Sequence, residues 1–278
     1  MKMKVGIFCV FLLAFLNVQL VAQTSVMTYN IRYDNPKDNE NWWGHRKEEV
    51  VDLIRYYSPT IFGIQEGLHH QVAYLDSSLN EYKYVGVGRD DGKTKGEYSA
   101  IFYRPEALKL LESQTYWLSE TPDKVSVGWD ASMERITTFA VFVDVKTGDT
   151  LNVFNAHFDH IGAEARLNSA KVILEIIEHK SLDNKQLIVM GDFNALPENA
   201  PIQTFKKKLT DPYLLEEVVT YGPIGTSNGF DPDRIMDRRI DYVLTKNINV
   251  RSYRHIDDRR KNNLYPSDHL PVLVELRK

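Results

Sequence analysis

The feature that most restricts how this chain can fold is a series of nine short runs rich in β-branched and aromatic residues, at 25–31, 60–65, 82–87, 99–103, 136–145, 150–156, 186–190, 239–244 and 270–276. Such runs, bounded by turn formers, read as strands. Only three stretches carry helical spacing. Residues 46–57 place Val50, Val51, Leu53 and Ile54 on one face and meet a stop at Ser58-Pro59, and 69–79 and 164–179 show similar faces. Strands outnumber helices, and several neighbouring runs lie within hairpin distance. The sequence therefore predicts an α+β fold of two packed β-sheets, mainly antiparallel or mixed, flanked by helices.

A chain of 278 residues, 43% hydrophobic, has enough apolar material for one large core. From Thr24 onward there is no repeat, low-complexity segment or linker, so one domain over 23–278 is expected. Residues 1–22 read differently: two lysines, an apolar run from Val5 to Leu16, and a short end at Ala22. That layout is a secretory signal, with cleavage expected after Ala22, and the run is shorter than the ~20 residues needed to span a bilayer. Cys9 lies inside the apolar run, which excludes it as the lipid-bearing first residue of a lipoprotein. The expected product is exported, periplasmic or extracellular, with no stable membrane insertion, and monomeric. With 34 basic against 38 acidic residues the net charge is −4; loss of Lys2 and Lys4 would leave 32 against 38, or −6. No global attraction to nucleic acid follows, and any anionic substrate must be met by local charge.

Polar residues sit where the predicted strands end. Asn30 follows SVMTY, Glu66 follows IFGIQ, His157 follows LNVFNA, Asp192 and Asn194 follow LIVMG, Asp241 opens DYVL, and Asp268-His269 precedes LPVLVEL. Each alone reads as a strand cap or turn former. Strand ends converge at one rim of a sheet, however, so residues distant in sequence can meet there. Carboxylates and amides suit a hard cation such as magnesium, and imidazoles beside them suit acid–base work.

The ordered set TYN (28–30), IQEG (64–67), NAHFDH (155–160), GDFNA (191–195), RIDYV (239–243) and SDHLPV (267–272) resembles the endonuclease/exonuclease/phosphatase superfamily. That group includes pancreatic-type deoxyribonucleases, abasic-site endonucleases, inositol polyphosphate 5-phosphatases, neutral sphingomyelinases and deadenylase-like enzymes. The likeness runs from residue 24 to the end and implies a four-layer DNase-like α/β sandwich. GTSNGF before RIDY and the GWDASMER stretch resemble secreted bacterial members near the deadenylase-like branch. By the resemblance, Glu66 is the principal ligand of Mg2+, with Mn2+ as substitute, Asn30 and Asp268 are further metal ligands beside it, and Asn30 is also a candidate substrate-binding residue. Asp192 and Asn194 would position the attacking water and the phosphate. His269 would be the general base or phosphate-facing imidazole, its tautomer fixed by Asp268. His157 would contact the scissile phosphate, with Asp241 hydrogen-bonded near it, and Arg135 is a candidate substrate-binding residue.

The resemblance implies a metal-dependent phosphoric-ester hydrolase, foremost a phosphodiesterase or nuclease. A phosphomonoesterase or sphingomyelinase-like lipid phosphodiesterase is the alternative, and a non-catalytic binding module a third. The substrate is expected to be a phosphate ester of nucleic acid, nucleotide, lipid or sugar, chosen by loops at 35–44, 89–97, 120–133 and 222–238. His160 reads as a loop residue, Trp42-Trp43 as core packing or a stacking platform, and Lys206-Lys207-Lys208 as a solvated face.

Overall fold

The computed structural model describes residues 24–277, so the expected export signal over 1–22 and Cys9 lie outside the described residues. Twelve strands are formed among them. They are β1 Ser25–Asn30, β2 Ile61–Gln65, β3 Lys83–Val85, β4 Ile101–Tyr103, β5 Leu108–Trp117, β6 Ile136–Asp144, β7 Thr150–His157, β8 Gln186–Asp192, β9 Val219–Tyr221, β10 Asp241–Lys246, β11 Val250–His255 and β12 Val272–Leu276. A seven-stranded sheet runs β3-β4-β2-β1-β12-β11-β9, and a five-stranded sheet runs β10-β8-β7-β6-β5. Both are mixed: β1–β2, β7–β8 and β11–β9 are parallel and the other pairs antiparallel. Four α-helices, α1 Trp43–Tyr57, α2 His69–Ser78, α3 Ala163–His179 and α4 Ala200–Phe205, cover the outer faces. No helix among the described residues is long and apolar enough to cross a membrane.

Four layers follow from how the strands distribute apolar side chains. Val26, Ile61 and Val274 of the larger sheet meet Val153, Ile188 and Val243 of the smaller one between the sheets. Their chain neighbours Met27 and Phe62 turn outward to Val50 and Ile54 of α1 and Val72 and Leu75 of α2. Phe154, Val189 and Leu244 turn outward to Ile173 of α3 and Phe205 of α4. A strand covered on both faces loses the polar/apolar alternation, which is why these runs read as continuous apolar segments. The helix α1 ends at Ser58, in the left-handed region at φ 51°, just before Pro59, as the stop signal predicts. Its first turn begins three residues earlier than the apolar spacing predicts, because buried Trp43 belongs to the same face.

Polar contacts also cross the interior: Tyr253 Oη of β11 accepts the Val243 N–H of β10 at 3.0 Å, and the largest group centres on Asn155. Asn155 of β7 is fully buried, and its Nδ2 donates across the sandwich to the carbonyls of Ile64 and Ala100, both at 2.9 Å. Its Oδ1 accepts from Gln65 Nε2 at 2.6 Å, and Gln65 Nε2 also donates to Thr28 Oγ1 at 2.9 Å. Only glycine fits at position 63, where a Cβ would come within 2.5 Å of the Asn155 side chain.

Two outcomes test this packing. Truncating Asn155 to Ala strands buried partners at ~1–3 kcal/mol each. A net loss of about 3 kcal/mol should lower Tm by roughly 6–12 °C in a chain of this size; a shift under about 2 °C would show that the Asn155 hydrogen bonds do not hold the sheets together. His255 is fully buried, its Nδ1 donates to the Pro223 carbonyl at 2.7 Å, and its Nε2 has no hydrogen-bond partner. Burial lowers its pKa from 6.5 to about 4, against the opposing pull of the Pro223 carbonyl. Between those values the unfolded chain binds a proton there that the folded chain refuses. Its contribution is thus complete above pH 6.5 and is lost as pH falls toward 4, by about 3 kcal/mol in all. Thermal melts of wild type and His255→Gln from pH 7 to 4.5 should converge; parallel curves would remove His255 from the account.

Candidate active site

Strand direction brings the polar ends together. In the larger sheet, β1 and β2 run parallel, pairing Asn30 with Gln65, so Asn30 and Glu66 leave the sheet side by side. In the smaller sheet, His157 and Asp241 both pair with Asp192. Asp268-His269 enters β12, which is antiparallel to β1. All nine residues singled out from the sequence lie at this one rim. Arg32, Glu66 and Asn194 hold positive φ values of 57°, 65° and 46°, a conformation that costs a non-glycine residue ~1–2 kcal/mol and recurs where geometry serves a site.

One carboxylate oxygen gathers groups from both sheets. Asp192 Oδ2 accepts from Asn30 Nδ2 at 3.0 Å and lies 3.6 Å from His157 Nε2 and 3.8 Å from His269 Nε2. Its Oδ1 accepts the Asn194 backbone N–H at 2.9 Å, while Asn194 Nδ2 donates to the Phe158 carbonyl at 3.0 Å. Asn30 Nδ2 also donates to Glu66 Oε1 at 2.9 Å, and its Oδ1 accepts the Arg32 N–H at 3.0 Å. Burial raises the pKa of Asp192, the nearby histidines opposing and Asp241 reinforcing it.

The two histidines are driven apart. Burial lowers His157 to about 3, and Arg135, whose Nη1 lies 3.2 Å from Nδ1, adds to the effect. For His269 burial acts in the same direction but is outweighed by Asp241, Asp192 and Asp268, which together raise it well above the ordinary imidazole value. The sequence assigned Asp268 to orient His269, and placed Asp241 near His157; the structure corrects both. Asp241 Oδ2 is the acceptor 2.9 Å from His269 Nδ1, and Asp241 is fixed in turn by Thr226 Oγ1 at 2.6 Å. Asp268 instead faces Arg32, whose Nη1 lies 3.7 Å from Asp268 Oδ2 and 3.8 Å from Glu66 Oε2. The reason is register: Asp241 opens β10 beside Asp192, whereas Asp268 lies on the Arg32 side of His269.

Arg135, 3% exposed, belongs to the site: its Nε donates to Asp159 Oδ2 at 3.2 Å and its Nη2 lies 2.8 Å from His160 Nδ1. Its segment is tethered at Asp130, which caps the N-terminus of α3 through the Ala165 N–H at 2.6 Å, and at Ser132, which donates to Asp159. His160, expected as an ordinary loop residue, therefore lines the site. Three further residues carry no motif signal, Arg32, Arg89 and Glu97; the last two lie in a loop the sequence marks for substrate choice. Trp43 is core, with the buried Arg46 guanidinium over its ring at 5.1 Å. Arg46 donates to the carbonyls of Ile31, Arg32, Asn41 and Pro266, and so ties the segment after Asn30 to the one before Asp268.

The resulting cleft, about 410 Å³, is lined by Arg32, Tyr33, Glu66, Arg89, Glu97, Met133, Arg135, His157, His160, Asp192, Asn194, Asp268 and His269. Ligand atoms of Glu66, His157 and Asp192 lie within 4.8 Å of one another, and Asp268 meets Glu66 across Arg32. Two carboxylates and an imidazole kept neutral form a donor set that a divalent cation fits, with Glu66 common to both groupings.

The sequence pattern of the Endonuclease/Exonuclease/phosphatase family matches residues 27–269, and the chain belongs to that family. Among solved structures, it is 38% identical to the Bacteroides vulgatus endonuclease/exonuclease/phosphatase, over 92% of this chain and 98% of that one, with a TM-score of 0.87. It is also 38% identical to a Bacteroides thetaiotaomicron mannosyl-6-phosphatase, over 92% of this chain and 100% of that one, at 0.86. The catalytic domain of human Nocturnin, 19% identical over 92% and 94%, shares the fold at 0.70. Its relatives make the chain a phosphoester hydrolase by family.

Asp241→Asn keeps the shape but presents an amide to His269 Nδ1. Hydrolysis should fall roughly 10²–10⁴-fold with Tm little changed, and the same range is expected for His269→Ala. Wild-type turnover in either purified variant would remove the pair from the machinery.

Proposed function

We propose that this protein is a divalent-cation-dependent phosphoric monoester hydrolase acting on small soluble phosphate esters. The observation that carries this reading is the cleft: its 410 Å³ is at the lower end of the ~300–1,000 Å³ range of small-molecule sites, and the Arg89–Glu97 pair lines it beside Met133. A polymer substrate asks for a longer basic track, and the net charge of −4 provides no general attraction. The likeness to a mannosyl-6-phosphatase supports the same reading. A nuclease or other phosphodiesterase, the activity expected from the sequence, would instead favour diesters and nucleic acid. With export over residues 1–22, the substrate would be met outside the inner membrane.

Glu66, with Asp192, Asp268 and His157, would hold Mg2+ or Mn2+, which supplies charge neutralisation at the phosphate and acidifies water. The chain's own residues do the rest. The Asn194 N–H fixes the Asp192 carboxylate so that Oδ2 orients the attacking water. His269 donates from Nε2 to a phosphoryl oxygen, and Asp241 holds the opposite ring nitrogen. The electrostatic gain is large because the donors are pre-positioned in a site shielded from water.

Purified protein should hydrolyse p-nitrophenyl phosphate and hexose 6-phosphates at least tenfold faster, in kcat/KM, than bis-p-nitrophenyl phosphate or single-stranded DNA. Chelator should abolish turnover and added Mg2+ or Mn2+ restore it. A preference for the diester or the DNA would overturn the monoesterase reading, and chelator-resistant turnover the dependence on metal.

A further inference from the structure

We propose that the loop at 88–97 builds a subsite for a leaving group bearing several hydroxyls, such as a hexose, and that Glu97 is its specificity-determining residue. This rests on the monoesterase reading and names the part of the substrate that reading leaves open.

The loop is pre-organised. Asp91 Oδ1 accepts the N–H groups of Lys93 and Lys95 at 2.8 and 3.0 Å, the Arg89 N–H donates to the Glu97 carbonyl at 3.1 Å, and Tyr98 Oη donates to the Lys93 carbonyl at 2.9 Å. Trp117 Nε1 donates to the Arg89 carbonyl at 2.8 Å. Gly96 sits at φ 79° against the Asp90 carboxylate, where a Cβ would come within 2.2 Å. A wall fixed in this way loses little entropy on binding a ligand.

Its position suits a leaving group. Glu97 Oε2 lies 3.6 Å from His157 Nδ1, and His157 Nε2 lies 3.6 Å from Asp192 Oδ2. Glu97 thus stands one imidazole beyond the residues that address the phosphate, where the alcohol released from it would begin.

The chemistry selects hydroxyls. Arg89 donates to both Glu97 oxygens, at 2.6 and 2.9 Å, which leaves the carboxylate with free lone pairs. The guanidinium of Arg135 and the ring of His160 continue the same side of the cleft. A hydroxyl both donates and accepts, so a wall of this kind satisfies it, whereas an acyl chain would leave desolvated charges unpaired. A nucleobase is held by stacking on aromatic faces, and among the described residues the cleft offers only Tyr33, one face of which is occupied by Arg32 at 4.4 Å.

The test compares a hexose 6-phosphate with phenyl phosphate, which carries no leaving-group hydroxyls. Glu97→Gln should lower kcat/KM on the sugar at least tenfold more than on phenyl phosphate, chiefly through KM. In wild-type enzyme, the free hexose should compete with phenyl phosphate hydrolysis, and cyclohexylmethanol at equal concentration should not; this arm stands even if the variant fails to fold. Equal losses on both substrates, or equal competition by the two alcohols, would overturn the subsite while leaving the monoesterase standing. Absence of wild-type turnover on either monoester would instead overturn both.

Discussion

Everything at the rim depends on how the two sheets are registered against each other, and Asn155 makes the most extensive of the buried hydrogen-bond contacts that join them, beside Asn30 to Asp192 and Val243 to Tyr253. Apolar packing between sheets is nondirectional and tolerates sliding. Hydrogen bonds to the Ile64 and Ala100 carbonyls do not, because their geometry fails within a fraction of an ångström. The clip also sits close beneath the chemistry: Asn155 is two residues before His157, Gln65 is next to Glu66, and Thr28 is two residues before Asn30. A buried polar network in the midst of an apolar core is costly where a member is unsatisfied, as Gln65 Oε1 is. Here it serves to keep one sheet's half of the site opposite the other's.

Arg46 performs a comparable task within the larger sheet. A guanidinium with no exposure loses much hydration energy, and burial lowers its pKa to about 10, the nearby charges of Tyr29, Asp268, Asp38 and Glu66 opposing. Four backbone carbonyls receive it, three of them, of Ile31, Arg32 and Pro266, in segments that carry site residues. The site itself then divides its charge: burial, with Arg135, keeps His157 neutral, while three carboxylates keep His269 charged. Two imidazoles near one carboxylate oxygen thereby acquire different chemical roles.

The strand skeleton and the residues at strand ends were legible because strands buried on both faces are apolar throughout and stop abruptly. Less apolar elements were missed. The strand β5, LKLLESQTYW, is exposed continuously from Leu111 to Gln114 beside a bulge between Leu110 and Glu112, and β11, VRSYRH, carries two arginines. Both are sheet strands because neighbours supply their partners. The helix α4 is only six residues long, too short to show a period. At the site, the residue types were visible but the pairing was not: Asp268 adjoins His269 in sequence, yet the register of β10 brings Asp241 to the ring. Arg32, Arg89 and Glu97 gave no signal, since a loop residue acquires its meaning from where the loop lands.

Asp192 Oδ2 is approached by side chains from β1, from the end of β7 and from the turn into β12. Substitution at any of these positions is felt at one atom, so their effects will not combine independently. Strand-end residues of this kind can drift only in concert. The surrounding loops are not bound by that restriction, since Arg89, Glu97 and Met133 meet the cleft without touching Asp192. A lineage built on this scaffold can therefore exchange one substrate for another by loop replacement alone, with its hydrolytic chemistry inherited intact.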